Sequence, residues 1–135
     1  MVAEHRLAFQ LKSERGYVDG TGFRNADLAR IPRDTVFLNL ENAKVTDAGI
    51  QSLPELVDLR CLDLDSTEIT DSALHKVASF GSLEELWLEN TAVTDTGLAF
   101  LFSLKKLRFI SLVDCAISDA AAELLRQAMP GLEVH

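Results

Sequence analysis

An α/β solenoid is the fold this sequence predicts, a right-handed coil with short parallel strands inside and short helices outside. The first observation is a recurring signature: Val45-Thr46-Asp47, Ile69-Thr70-Asp71, Val93-Thr94-Asp95 and Ile117-Ser118-Asp119 stand 24 residues apart. The second is that apolar columns keep step with it. Leu38, Leu62, Leu86 and Ile110 form one column, and Leu40, Leu64, Leu88 and Leu112 form another. The third is a change of period inside each unit. Leu62 and Leu64 alternate as in a strand, whereas Leu74 and Val77 recur at helical spacing. No single unit can bury its apolar face, but stacked units can.

The elements follow in order. Leu7-Ala8-Phe9-Gln10-Leu11 alternates and Ser13-Glu14-Arg15-Gly16 reads as a turn, which predicts a hairpin into Tyr17-Val18. Val18 to Phe23 matches Leu40 to Val45, so residues 17–34 form a degenerate repeat and residues 1–34 an N-terminal cap. Repeats occupy residues 35–119. Thr-Asp ahead of each helix is expected to cap its free N–H groups. Ala120 to Met129 predicts a longer last helix, stopped by Pro130-Gly131, with a final strand at Leu132-Glu133-Val134. Open solenoids need atypical units at both ends, so residues 120–135 read as a C-terminal cap. One self-contained domain over residues 1–135 is the expectation.

Two stretches carry a resemblance to a known family. Leu59-Arg60-Cys61-Leu62-Asp63-Leu64-Asp65-Ser66-Thr67-Glu68-Ile69 and Leu83 to Val93 look like the LxxLxLxxNxL core of leucine-rich repeats. The continuation Thr94-Asp95-Thr96-Gly97-Leu98 is similar to the subtype in F-box-associated and bacterial, ribonuclease-inhibitor-like repeat proteins. The resemblance covers residues 35 to 135. It implies a short horseshoe with a concave parallel sheet and convex helices, and a binding role. The column that usually holds Asn contains Ala43, Thr67, Thr91 and Cys115, which should lie inside the turn and, Ala43 apart, bond backbone groups.

Composition narrows the function. The 135 residues are 47% hydrophobic and 25% charged, which suits a folded domain rather than a disordered chain. A formal charge of −8 disfavours nucleic-acid phosphates and anionic membranes. A basic or neutral protein is the expected partner. No apolar run approaches the roughly 20 residues that cross a bilayer, and Met1 to Arg6 lacks signal-peptide character. With only Cys61 and Cys115, neither a disulfide framework nor a CxxC site is expected. Together these favour a cytoplasmic setting.

Chemistry is sparse. The recurrence of Asp47, Asp71, Asp95 and Asp119 marks them as helix caps rather than catalytic or metal-binding carboxylates. His5, His75 and His135 are scattered, and no GxGxxG, P-loop or GxSxG motif is present. No enzyme activity, cofactor or metal is therefore expected. Cys115 should be buried and inert, and Cys61 should face outward.

The strand face is the candidate site. Residues that alternate with the buried Leu columns point outward. The first row is Phe37, Cys61, Glu85 and Phe109. The second is Asn39, Asp63, Trp87 and Ser111, continued by Glu133, and the third is Glu41, Asp65, Glu89 and Val113. Trp87, the only Trp, lies between Phe37 and Phe109 in a ring of carboxylates, the pattern of an aromatic anchor inside a polar rim. The reading is a protein-interaction module or small adaptor that uses this face. Substrate recognition in a ubiquitin-ligase-like complex is one alternative, and structural self-association is another.

Overall fold

A computed structural model describes residues 6–135, with side chains from residue 7. Its elements are α1 (Arg6–Leu11), β1 (Tyr17–Asp19), α2 (Asn25–Leu28), β2 (Phe37–Asn39), α3 (Asp47–Gln51), β3 (Cys61–Asp63) and α4 (Asp71–Val77). They continue with β4 (Glu85–Trp87), α5 (Asp95–Leu98), a 3₁₀ turn at Ala99–Ser103, β5 (Phe109–Ser111), α6 (Asp119–Ala128) and β6 (Glu133–Val134). The six strands form one open, all-parallel sheet in chain order.

Register follows the 24-residue period. Leu38, Leu62, Leu86 and Ile110 are Cα partners across successive strands. Each is fully buried, as are Leu40, Leu64 and Leu88. They join Ile50, Leu74, Val77, Leu101 and Leu125 from the helical side in one continuous core. After β2, β3, β4 and β5 the chain turns sharply through one left-handed residue: Asn42 (φ 60°), Ser66 (φ 57°), Asn90 (φ 55°) and Asp114 (φ 62°). Asn and Asp tolerate that conformation better than most side chains. The turn column behaves as expected. Thr67 Oγ1 donates to Leu64 O and Thr91 Oγ1 to Leu88 O, both at 2.8 Å, and Cys115 Sγ donates to Leu88 O at 2.9 Å.

Two expectations are corrected. Residues 6–11 form a helix, not a strand, and β1 pairs with β2 in parallel, so the N-terminal cap is not a hairpin. Leu7 and Leu11 satisfy helical spacing as well as alternation. The helix buries Leu11 and half-buries Leu7 and Ala8, leaving Phe9 82% exposed. The first five residues of the expected cap lie outside the described residues.

The recurring aspartates do not cap their own helices either. Thr70 and Ser118 fill that role, accepting from Ser72 N and Ala121 N. Each aspartate reaches instead to the next repeat. Asp47 Oδ1 accepts from Thr70 N at 2.7 Å and its Oδ2 from Thr70 Oγ1 at 2.6 Å. Asp71 bonds Thr94 in the same way, Asp95 bonds Ser118, and Asn25 opens the series on Thr46. A Cβ at Gly97 would collide with Asp71 Oδ1, which accounts for glycine beside that staple. The ladder should contribute to stability. Asp71→Ala strips two charge-assisted acceptors from Thr94 and is expected to cost about 1–3 kcal/mol in urea unfolding. Asp119→Ala, at the end of the ladder, should cost about 0.5 kcal/mol or less. Equal losses would contradict the ladder.

Candidate functional site

The concave face is built by the outward residues of three-residue strands. Phe37, Cys61, Glu85 and Phe109 are in register, as are Asn39, Asp63, Trp87 and Ser111. Glu133 belongs to the first row, opposite Phe109, rather than to the second. The strand frame thus brings the expected site residues together, but it does not leave them equally open.

Helix α1 lies over one half. Leu11, Phe37, Cys61, Trp87 and Phe109 form a second apolar cluster on the side of the sheet opposite the main core, with Leu7, Ala8, Tyr17 and Val36 packed against it. Trp87 is 7% exposed and Cys61 0%, so neither presents the open surface that the sequence led us to expect. The rings of Trp87 and Phe109 lie 4.7 Å apart, and His135 packs against Phe109 at 5.2 Å. Tyr17 meets Phe37 edge-on at 5.0 Å, and its hydroxyl accepts from Asn39 Nδ2 at 3.1 Å. Parallel sheets are normally covered on both faces, and α1 supplies part of that second cover. Leu7, Ala8, Leu11, Tyr17 and His135 are contributors that the sequence reading missed. The Leu7/Leu11 spacing was the available signal for the helix. The 24-residue step from Ser111 was the signal for His135.

The other half is acidic and only partly covered, although Asn39, Asp65 and Ser111 are themselves buried. Glu41, Val113 and Asp114 are exposed, and Asp63 and Glu89 are half-buried. A relay of hydrogen bonds orients the carboxylates across the repeats. Asp63 Oδ1 accepts from Asp65 N at 2.9 Å, and Asp65 Oδ1 accepts from Glu89 N at 2.7 Å. Ser111 Oγ donates to Glu89 Oε2 at 2.6 Å. Asn39 Oδ1 plays the Asp63 role one repeat earlier, accepting from Glu41 N. Among the described residues, no Lys or Arg forms an ion pair with Glu41, Asp63, Asp65 or Glu89.

Burial and crowding make Asp63, Asp65 and Glu85 hard to ionise. Desolvation, reinforced by the charges of Glu41 and Glu89, pushes Asp63 up to about 6. Desolvation and the neighbouring Asp63 push Asp65 up to about 8. Beneath α1, Glu85 accepts from Trp87 Nε1 at 3.3 Å and from Cys61 Sγ at 3.9 Å, and burial lifts it to about 7. The Cys61 thiol is driven well above its ordinary range, first by burial and then by Glu85 and Asp63. It is a protonated, inert thiol.

Cys61 is thus not the outward-facing thiol expected from sequence, and Cys115, in its expected place in the turn, is only partly buried. Cys115 sits in a partly exposed turn and Cys61 is sealed. In the native protein a bulky thiol reagent should label Cys115 at least about tenfold faster than Cys61, because only opening or unfolding uncovers a fully buried sulfur. Faster native labelling at Cys61 would contradict the roof. Among the described residues no group of His, Cys, Asp and Glu is arranged to hold a metal, and no helix is long and apolar enough to cross a membrane.

An open parallel ladder with convex helices, repeating every 24 residues, defines a leucine-rich-repeat solenoid. Comparison with protein-family models and with curated proteins finds no match. Solved structures do match. A leucine-rich-repeat protein of Leptospira interrogans is 22% identical with a TM-score of 0.59, over 81% of this chain and 27% of its own. An internalin of Listeria monocytogenes is 14% identical with a TM-score of 0.50, over 76% of this chain and 34% of its own. Internalin C2 of the same species is 20% identical with a TM-score of 0.51, over 88% and 69%. The chain spans about a quarter to a third of the first two. What it shares with all three is the fold.

Proposed function

We propose that the protein is an interaction module that docks a basic protein segment on the open, acidic half of its concave face. One observation carries the reading: Glu41, Asp63, Asp65 and Glu89 lie at or just past the ends of adjacent strands, with no cationic partner among the described residues. Burial and the neighbouring charges raise the proton affinity of Asp63 and Asp65. A docked Lys or Arg would relieve that crowding. The rigid backbone relay fixes the carboxylates beforehand, so little side-chain freedom remains to be lost on binding. The formal charge of −8 favours the same class of partner through steering. Repeat proteins present extended concave surfaces of this kind for binding.

Once a partner is in hand, binding kinetics at two salt concentrations test the reading. Glu89→Lys is expected to slow association by about tenfold and to flatten its dependence on salt. Phe102→Ala, on the convex side, should change neither. Unchanged kinetics in Glu89→Lys would move the interface off this face.

A further inference from the structure

Beside the acidic rows lies an apolar groove that the chain fills with its own helix. The floor of the groove is Phe37, Cys61, Trp87 and Phe109, and α1 enters it with Leu7, Ala8 and Leu11. Among the described residues, little else holds α1 there. The described part of α1 is six residues, Arg6–Leu11, and a helix needs roughly 12–15 to be even marginally stable alone. Among the described residues, the hydrogen bonds of 8–14 are local: Lys12 N to Ala8 O, Ser13 N to Gln10 O, Glu14 N to Leu11 O, and Gln10 Nε2 to Glu14 Oε1. The first backbone bonds that tie this segment to the sheet are at Gly16, whose carbonyl accepts from Val36 N and Phe37 N. The strands beneath, by contrast, are laddered on both sides. α1 is therefore an apolar plug on a short tether, and its removal leaves every strand paired.

We propose that α1 is a displaceable stand-in, and that the groove accepts an amphipathic helix of a partner protein bearing apolar residues at i, i+1 and i+4 and flanked by basic side chains. This assignment rests on the proposed function for the choice of a basic protein partner. The apolar spacing comes from the segment seated in the groove, Leu7, Ala8 and Leu11. The basic flank is fixed by the carboxylates of Asp63 and Glu89 alongside, which have no cationic partner among the described residues. Helix-in-groove recognition uses such anchors. The tether gives α1 an effective concentration of about millimolar, so an incoming helix must outcompete it, and α1 sets the threshold for binding.

The test uses Leu11→Asp, which removes the one fully buried residue of α1, with Phe9→Ala on its exposed side as control. The probe is a fluorescently labelled, helix-stapled peptide with the sequence of residues 6–16. Leu11→Asp is expected to keep its far-ultraviolet spectrum and cooperative unfolding. Cys61 should label at least about tenfold faster than in the wild type, and the peptide should bind at least about tenfold more tightly, once the tethered competitor is gone. Bound peptide should restore the protection of Cys61, and Phe9→Ala should match the wild type in all three readouts. A folded Leu11→Asp whose Cys61 stays sealed would overturn the displaceable plug. An unsealed Cys61 with no peptide binding would overturn the helix-accepting groove. A stable wild-type dimer exchanging α1 between copies would overturn the partner assignment in favour of a second copy. Peptide binding that survives Glu89→Lys would leave the groove standing and count against the acidic docking rows, so the two readings fail separately.

Discussion

Leu86→Ala is expected to destabilise the protein by about 2–5 kcal/mol. Leu86 is fully buried on the middle of β4, between Leu62 and Ile110 in adjacent strands. Truncation removes its transfer free energy and leaves a cavity that parallel strands on both sides cannot close. A solenoid has no distant contacts to compensate. In the main core each repeat packs chiefly on its neighbours, so a gap in the central unit weakens both flanking interfaces. A loss of this size is a large fraction of the roughly 5–15 kcal/mol that stabilises a domain. Urea unfolding measures it directly, and a change under about 1 kcal/mol would mean that the column is not the core.

The second large effect is on pH. In the unfolded chain Asp63, Asp65 and Glu85 titrate near their ordinary values of 3.8, 3.8 and 4.5. In the fold they hold protons up to about 6, 8 and 7. The folded state therefore binds more protons than the unfolded state between roughly pH 4 and pH 8, and the stability from these groups is lost as pH rises through that window. A tenfold difference in proton affinity between the two states corresponds to about 1.4 kcal/mol. Allowing for solvent contact and for the mutual coupling of Asp63 and Asp65, we expect about 2–4 kcal/mol less stability at pH 8 than at pH 5. Asp65→Asn keeps an oxygen for Glu89 N and removes the charge, so it should flatten the profile and stabilise the protein at pH 8. A profile that rises from pH 5 to pH 8 would contradict the crowding. The same linkage bears on function, because a basic partner that draws these carboxyls into their charged form should release protons as it binds.

These carboxylates show how far the sequence could be read. Their rows were legible, because a period of 24 residues and strand alternation assign each outward position without coordinates. The core columns were legible for the same reason. Exposure was not. Whether Trp87 and Cys61 face water depends on what lies above them, and the segment above, Leu7 to Leu11, fits alternation and helical spacing equally well. Only its fit to the groove decides between them. Asp71 illustrates a different limit. Its recurrence marked a structural role, but a carboxylate next to a helix start can serve its own turn or the next repeat, and spacing alone does not separate the two. Glu133 was misassigned against the period itself, since 24 residues on from Phe109 is Glu133 and 24 on from Ser111 is His135.

The division of the concave face into a roofed apolar half and an open acidic half is most directly tested by the fluorescence of Trp87, the only tryptophan in the chain. With Trp87 7% exposed in the apolar cluster it shares with Leu11, and packed against Phe109, wild-type emission should be blue-shifted and poorly quenched by acrylamide. Leu11→Asp should shift it to the red and raise quenching severalfold while the protein stays folded. Wild-type emission already at the wavelength of a solvated indole, unchanged by Leu11→Asp, would contradict the division.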